Sequence, residues 1–373
     1  MAQNILIIGG TGPSGPDLTQ ALLDQGHQVT ILHRGVHEPA GLPDVPHIHA
    51  DPHFSETLEK AVKGVDFDVV ISMYGRLAPQ AEVFAGRCAQ FIAVGGRPIY
   101  PGYMVPSAVF PHGMRINTPE FSGGPHSRAL ENPSLHNFTR KMTMAEDVVM
   151  RAHATGRYNA TIFRFPYVYG PRAVLPLEWS FIRRLADGRR RIPLVHGGAN
   201  IFTRVAAVNA AHALSLAVGN PVAAGQVFNV GDDAQFSYAQ WLQLIARLMD
   251  REVEIVAVPD TLSWVAGHVL PFQGTATQHA ITDTAKIRTM LGYRDRRAPQ
   301  DVLREMIARL RAAPPAPDLP GWSDPFDYAL EDRVMAAMDD LAARFAPPPD
   351  WPAPIHVYAH PKAPDTGPDH KGR

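Results

Sequence analysis

Cysteine is almost absent from this chain, and several other features are scarce as well. The 373 residues contain one cysteine, Cys88, so no internal disulfide can form, and such cysteine usage is typical of a reducing compartment. The formal net charge of -1 argues against nucleic acid or an anionic membrane as the main partner. No apolar run approaches the roughly 20 residues that a membrane-spanning helix needs. Met1 leads directly into an apolar segment, so we expect no signal peptide and a cytoplasmic location.

A glycine-rich turn near the N-terminus is the most informative feature that is present. The apolar run Asn4 to Ile8 has the length of a strand, and after the turn Leu18 and Leu22 lie in a helix that stops at Gly26. This order of elements places bare backbone N–H groups against a phosphate at a helix N-terminus. The turn therefore predicts a dinucleotide-phosphate site formed by Gly9, Thr11, Gly12, Pro13, Ser14 and Gly15.

Strands and helices alternate along the N-terminal half. Apolar runs predict strands at Gln28–Leu32, His47–Ala50, Asp68–Ser72, Gln90–Val94 and Ala160–Phe165. Helices are predicted between them near Ser55–Val62, Pro79–Arg87 and Thr139–His153. Such alternation predicts an α/β fold, a Rossmann-type doubly wound parallel sheet with helices on both faces.

The glycine spacing Gly9-x-x-Gly12-x-x-Gly15 resembles that of the extended short-chain dehydrogenase/reductase family, also called the NAD-dependent epimerase/dehydratase family. Three later segments resemble this family too: Arg164-Phe-Pro-Tyr-Val-Tyr-Gly-Pro171, Gln226-Val-Phe-Asn-Val-Gly231, and Asp283-Thr-Ala-Lys286 with Leu291-Gly-Tyr293. The resemblance implies an NAD(P)-binding Rossmann domain over 1–170, to which 200–230 returns. It also implies a smaller C-terminal substrate-binding domain from 171–199 and 231–345. Residues 346–373 are rich in proline and are expected to form an extended tail.

The end of the second strand selects the cofactor. NAD-binding proteins usually place a carboxylate there to accept hydrogen bonds from the ribose 2′-OH, whereas this chain reads His33-Arg34-Gly35. A guanidinium can hold a 2′-phosphate with two parallel bonds, so Arg34 favours NADP(H), with His33 or His37 as helpers and NAD(H) as the alternative. In the family that this chain resembles, the position of Asp51 contacts adenine, and Pro166 belongs to the segment near the nicotinamide.

The catalytic positions depart from the pattern of the family. Its members use a Ser or Thr after the fifth strand and a Tyr-x-x-x-Lys pair on the next helix. Here Gly96 stands at the Ser/Thr position, and anchoring the helix on Glu146 puts Phe138 and Met142 at the Tyr and Lys positions. A register shifted by one residue pairs Asn137 with Lys141, still without a tyrosine. The usual set is therefore missing in either register.

Two interpretations of this loss stay open: an enzyme whose proton donor lies elsewhere, or a pseudoenzyme that binds NADP(H) as a sensor. Candidate proton donors follow the fifth and sixth strands or flank the degenerate motif, namely Tyr100, Tyr103, Tyr167, Tyr169, Lys141 and His136. Phe138, Met142, Met104 and Tyr167 predict an apolar, aromatic-lined pocket for a small substrate. We expect an NADP(H)-dependent oxidoreductase acting on a small carbonyl or hydroxyl compound, with an epimerase or dehydratase as the alternative.

Other charged clusters carry weaker expectations. His47-x-His49-x-Asp51 alternates on one strand face, but no further ligand is evident nearby in sequence, so no metal is expected. Arg183-Arg184 and Arg189-Arg190-Arg191 could hold a diphosphate or RNA, yet no aromatic residues are interleaved with them. We expect these arginines to form a solvated helix end and loop, and we expect no nucleic-acid partner. A homodimer is the one assembly that is considered.

Overall fold

A computed structural model of the chain describes residues 2–73, 76–122, 133–266 and 278–352, with the side chains of 133–136 outside the description. Its strands are β1 Asn4–Ile8, β2 Gln28–His33, β3 His47–His49, β4 Val69–Ser72, β5 Gln90–Gly96, β6 Asn159–Phe165, β7 Tyr167–Tyr169, β8 Arg191–Val195, β9 Arg204–Ala206, β10 Gln226–Asn229 and β11 Glu254–Val258. Seven of these strands form one parallel sheet in the order β3-β2-β1-β4-β5-β6-β10.

The helices are α1 Gly15–Asp24, α2 Ser55–Ala61, α3 Leu77–Phe84, α4 Pro133–Ala154, α5 Trp179–Ala186, α6 Ala207–Ser215, α7 Tyr238–Leu248, α8 Ser263–Ala266, α9 Ala285–Leu291, α10 Pro299–Ala312 and α11 Tyr328–Arg344. Among the helices within the described ranges, none is both long enough and apolar enough to cross a bilayer.

Both faces of the sheet are covered. Alternate residues of β1 point to opposite sides: Ile5 and Ile7 join an apolar cluster with α1 and α6, while Leu6 and Ile8 join a second cluster with α2, α3 and α4. Period-two alternation on a strand requires this division, and a strand buried on both faces reads as a continuous apolar run. The predicted Rossmann-type α/β fold is confirmed.

A third apolar cluster lies in the C-terminal half. It joins α5, α7 and α10 with the short parallel pair β8–β11. A second short pair, β7–β9, connects the segment after β6 to the C-terminal half. The strand β10 returns to the central sheet beside β6, which places residues 226–229 within the N-terminal body.

The observed bounds of β5 and α3 differ from the predicted ones. β5 extends two residues beyond the predicted end, because Gly95 and Gly96 continue to pair with Arg164 and Phe165 of β6. The helix predicted over Pro79–Arg87 runs instead from Leu77 to Phe84. The chain leaves the helical conformation at Ala85, and Gly86 follows with a left-handed φ of 81°, which glycine adopts without strain. Residues 346–352 lie beyond the last helix and are exposed, and the rest of the predicted tail falls outside the described residues.

Candidate functional site

The glycine turn connects β1 to α1, and Gly12 and Gly15 differ in what surrounds them. A Cβ on Gly15 would stand 1.8 Å from the carbonyl oxygen of Gly10, so this position needs glycine for packing. A Cβ on Gly12 would meet only one atom within 4 Å, the Gly9 oxygen at 3.6 Å. Space is therefore open beside Gly12, at the N-terminus of the ten-residue helix α1. Backbone dipoles and free N–H groups make this a favourable place for an anion.

The end of β2 presents one exposed cation. Arg34 is exposed and forms no salt bridge with a described residue, so its guanidinium is available to a ligand. His33 is buried, and its Nε2 lies 2.9 Å from Nδ1 of His47 rather than facing the open turn. Asp51 accepts hydrogen bonds from the backbone N–H and the ring of His53, at 3.0 and 2.6 Å. The backbone bond, more than the charge of Arg34, lowers the pKa of Asp51.

A buried polar network supports the carboxyl ends of β5 and β6. Arg164 forms a bidentate pair with Glu146 of α4, with Nη2 2.6 Å from Oε2. Arg164 also donates to the hydroxyl of Tyr100 at 3.0 Å, and that hydroxyl donates to Asn229 at 2.6 Å. Burial raises the pKa of Tyr100. The hydroxyl of Tyr100 therefore accepts one hydrogen bond and donates another within the protein.

Two of the residues at the predicted catalytic positions, Gly96 and Met142, lie next to each other. The Cε atom of Met142 stands 3.3 Å from where a Cβ on Gly96 would be. Glu146 lies one turn further along α4, beside Gly95, which agrees with the register anchored on that glutamate. Phe138 is half exposed, and Lys141 is exposed on another face of the helix. The side chain of His136 lies outside the described residues.

A pocket of about 430 Å³ opens between the glycine turn and the segment after β6. Its surface is mainly apolar, and its lining comprises Pro13, Arg97, Pro98, Tyr103, Phe165, Pro166, Tyr167, Val168, Val174 and Leu175. The pocket therefore joins a residue of the predicted phosphate turn to the segment predicted to lie near the nicotinamide. Its volume suits a small molecule.

Arg97 is a charged residue of this pocket lining, and the sequence analysis did not name it as a candidate. Its side chain is buried, its Nη1 donates to the carbonyl of Ala280 at 2.9 Å, and its guanidinium stacks 3.9 Å from the ring centroid of Phe202. The guanidinium also lies 5.1 Å from the ring centroid of Tyr103. No described carboxylate pairs with it, and burial lowers its pKa while the neighbouring Tyr103 and Tyr238 oppose that shift. The position of Arg97 directly after β5, at the carboxyl edge of the sheet, could have identified it from the sequence as a candidate site residue.

The two tyrosines of β7 have buried hydroxyl partners. Tyr167 lines the pocket with its ring, while its hydroxyl lies 2.8 Å from Oε2 of Glu178 and 3.0 Å from the carbonyl of Leu175. Tyr169 is fully buried and donates to Asp232 at 2.7 Å. Burial and the adjacent carboxylates raise the pKa of both tyrosines. Tyr169 is not part of the pocket lining, so its geometry is that of a core residue.

The arginine runs are engaged by acidic side chains from the C-terminal segment. Arg184 is buried between Asp324 and Glu331, with a 2.6 Å contact to each. Arg189 pairs with Asp332, and Arg191 pairs with Asp339 and Glu254. The expectation of a wholly solvated helix end was wrong for Arg184, because α11 and the segment before it cover this side chain. These runs attach α11 to the C-terminal half.

Comparison with known proteins agrees with this architecture. Residues 5–83 match the NAD dependent epimerase/dehydratase family. A chloroplast stem-loop binding protein of 41 kDa from Arabidopsis thaliana is 25% identical over 310 residues, which are 78% of this chain and 75% of that protein. The family resemblance seen in the glycine turn is confirmed.

Solved structures with this fold are diverged in sequence. A UDP-glucose 4-epimerase from Thermotoga maritima, solved with UDP-glucose, aligns with a TM-score of 0.62 and 16% identity over 83% of this chain and 99% of the other. A dTDP-glucose 4,6-dehydratase from Bacillus anthracis, solved with NAD, aligns with a TM-score of 0.59 and 15% identity over 84% and 97%. The matched family and these neighbours are NAD-dependent epimerases and dehydratases, which are enzymes. At this identity the likeness to the solved structures shows the fold.

Proposed function

We propose that this protein binds NADP(H) and is an oxidoreductase acting on a small, largely apolar carbonyl or hydroxyl compound. One observation carries the proposal: a single apolar pocket joins Pro13 of the glycine turn to Arg97, Tyr103 and the Phe165–Val168 segment. A ligand in this pocket would lie beside a dinucleotide that follows the turn.

The residues present fit a dinucleotide phosphate. The open space beside Gly12 admits a pyrophosphate that a side chain would displace, and the N-terminus of α1 supplies N–H groups to it. Arg34 stands exposed at the end of β2, where a 2′-phosphate would be read. Its fork of donors matches a phosphate better than a neutral hydroxyl, which supports NADP(H) over NAD(H).

Tyr103 with Arg97 can take the place of the missing Tyr–Lys pair. Both residues line the pocket, and the guanidinium lies beside the tyrosine ring. When bound, the nicotinamide would supply or accept the hydride. Tyr103 would donate its hydroxyl proton to the carbonyl oxygen in the reductive direction and recover it in the oxidative one. Arg97 would stabilise the resulting tyrosinate, because an adjacent cation favours the charged form.

The pocket surface indicates the substrate class. Its lining is rich in aromatic and proline side chains, and Met142 and Gly96 bring no hydrogen-bonding side chain to the nearby catalytic positions. Such a surface favours an apolar or aromatic substrate over a sugar, whose hydroxyls would lose their hydrogen bonds to water. The paired arginines Arg184, Arg189 and Arg191 support the expectation that nucleic acid is not a partner.

Two other functions have an observation in their favour. The fold neighbours favour an epimerase or dehydratase acting through a transient keto intermediate. Gly96 and Met142, which cannot move protons, favour a pseudoenzyme that senses NADP(H).

NADPH oxidation measured against a panel of aliphatic and aromatic aldehydes and ketones separates these functions. The proposal expects turnover that Tyr103→Phe removes. Tight NADPH binding without turnover on any member of the panel would support the sensor. Conversion of a nucleotide sugar without net NADPH consumption would support the epimerase or dehydratase.

A further inference from the structure

Three histidines and one glutamate converge at the edge of the sheet where β2 and β3 end. The Oε1 atom of Glu38 lies 3.5 Å from His33 Nε2, 3.5 Å from His47 Nδ1 and 3.6 Å from His49 Nε2. His33 Nε2 and His47 Nδ1 are 2.9 Å apart. All four donor atoms lie within 4.8 Å of one another.

The strand register brings these residues together. His33 pairs directly with His49 across β2 and β3, and His47 pairs with Ile31. Because side chains alternate between the faces of a strand, His33, His47 and His49 all point to one face. Glu38 arrives from the loop after β2. From the sequence, only His47, His49 and Asp51 were considered as metal ligands, so no metal was expected. In the structure, His33 and Glu38, rather than Asp51, lie beside the two histidines of β3 in the cluster.

The geometry suits a tetrahedral transition metal. A zinc ion with ligand distances of about 2.0–2.2 Å holds neighbouring ligand atoms about 3.3–3.5 Å apart. The three distances from Glu38 Oε1 are close to this value. The imidazole rings stand at 80–83° to one another, so the three rings can surround one centre without stacking on each other.

We propose that His33, Glu38, His47 and His49 form a zinc site. Imidazole nitrogen with one carboxylate oxygen is a donor set that suits zinc, and four protein ligands leave no open position for substrate. The site is therefore structural. It clamps β3, an edge strand of three residues, to β2 and closes the loop between them. Because this loop begins at Arg34, the metal also fixes the base from which that arginine extends.

Metal binding changes two hydrogen bonds of His33, because the Nε2 atom that lies 2.9 Å from Nδ1 of His47 loses its proton as well. In the metal-free arrangement Nδ1 of His33 accepts the N–H of Gly35 at 3.1 Å, which leaves the ring proton on Nε2. A metal on Nε2 moves that proton to Nδ1, so the Gly35 amide turns away. Gly35 has a left-handed φ of 74°, and as a glycine it can adopt other conformations at little cost.

Tag-free full-length protein, stripped with EDTA and returned to a non-coordinating buffer, is titrated with ZnCl₂ by calorimetry. We expect one equivalent to bind. His49→Ala and Glu38→Gln alter side chains that are 59% and 50% exposed, so these variants should fold. Each should weaken zinc binding more than about tenfold, since even partners that only support a ligand cost 10–100-fold. His37→Ala, on the same loop but outside the cluster, is the matched control.

Cobalt substitution supplies a second readout. Co²⁺ in this site should show the intense visible bands of tetrahedral coordination, which His49→Ala should abolish and His37→Ala should keep. Unchanged zinc affinity in His49→Ala and Glu38→Gln, or a weak octahedral cobalt spectrum, would overturn the proposal. NADPH titration of the same variants is a separate measurement, so the cofactor proposal and the zinc proposal can fail independently.

Discussion

Met142 covers Gly96, with its Cε atom 3.3 Å from the position that a Cβ on residue 96 would occupy. In the register anchored on Glu146, these are the positions predicted to correspond to the lysine and to the serine or threonine of the family that this chain resembles. In that register β5 and α4 meet through an apolar contact at the two predicted catalytic positions. In the function proposed above, the group that moves a proton comes from another wall of the pocket, where Tyr103 lies beside Arg97.

The glycine turn can be tested with two substitutions of different kinds. Gly12→Val should leave the thermal unfolding midpoint nearly unchanged, because a Cβ there meets one atom at 3.6 Å, and should abolish NADPH binding. Gly15→Ala should lower the unfolding midpoint, because its Cβ would overlap the Gly10 carbonyl. Circular dichroism melts and NADPH fluorescence measure the two effects. Normal cofactor affinity in folded Gly12→Val would show that the phosphates bind elsewhere.

Arg34 should decide the choice of cofactor. We expect Arg34→Ala to weaken NADP(H) at least about tenfold and to leave NAD(H) nearly unchanged, since a charge-assisted bidentate contact contributes roughly 1.5–3 kcal/mol. Calorimetric titration of both cofactors measures this, with Lys60→Ala, which removes an exposed cation of α2, as the control. A preference for NADP(H) that survives Arg34→Ala would assign the 2′-phosphate to another residue.

The tyrosines can be separated by removing one hydroxyl at a time. Tyr103→Phe should lower kcat by about 10²–10⁴-fold, the usual effect of losing a general acid. Tyr100→Phe and Tyr169→Phe should lower the free energy of unfolding by about 1–3 kcal/mol, because Asn229 and Asp232 lose buried partners. Steady-state kinetics and urea melts provide both readouts.

Two further variants complete this comparison. Phe138→Ala should change KM more than the pH dependence of kcat, since its side chain carries no proton. Loss of activity in Tyr167→Phe with full activity in Tyr103→Phe would move the proton donor to the Tyr167–Glu178 pair.

The buried pairs of Arg184 should hold α11 in place. Arg184→Ala leaves Asp324 and Glu331 as buried carboxylates without their partner, so we expect a loss of about 3–5 kcal/mol in the free energy of unfolding. Arg190→Ala, an exposed neighbour in the same region, should change it by less than about 0.5 kcal/mol. Chemical denaturation followed by tryptophan fluorescence checks both variants, and equal small effects would show that the pairs contribute nothing measurable.

Local pattern was enough for much of the architecture. β1 was predicted to the residue, and β2, β3, β4 and β6 to within one residue at either end. The pattern was clearest for β1 and β4, because a strand buried on both faces is a continuous apolar run. The glycine turn was recognisable because strand, turn and helix are adjacent in sequence. Boundaries failed where partners are distant: β5 continues through Gly95 and Gly96 only because β6 pairs with them.

The contact partners of the buried polar side chains could not be predicted from local sequence patterns. Arg97 stacks on Phe202 and bonds Ala280, Arg184 meets Asp324 and Glu331, and His33 meets Glu38 and His49. These partners come from different segments, and their meeting depends on sheet order, strand register and the packing of the C-terminal half. The order of apolar and glycine residues specifies the elements and the cofactor turn, since those depend on short-range periodicity. Which charges are buried, paired or left facing a pocket depends on long-range packing, because an ionic side chain's state is set by whichever groups surround it after folding.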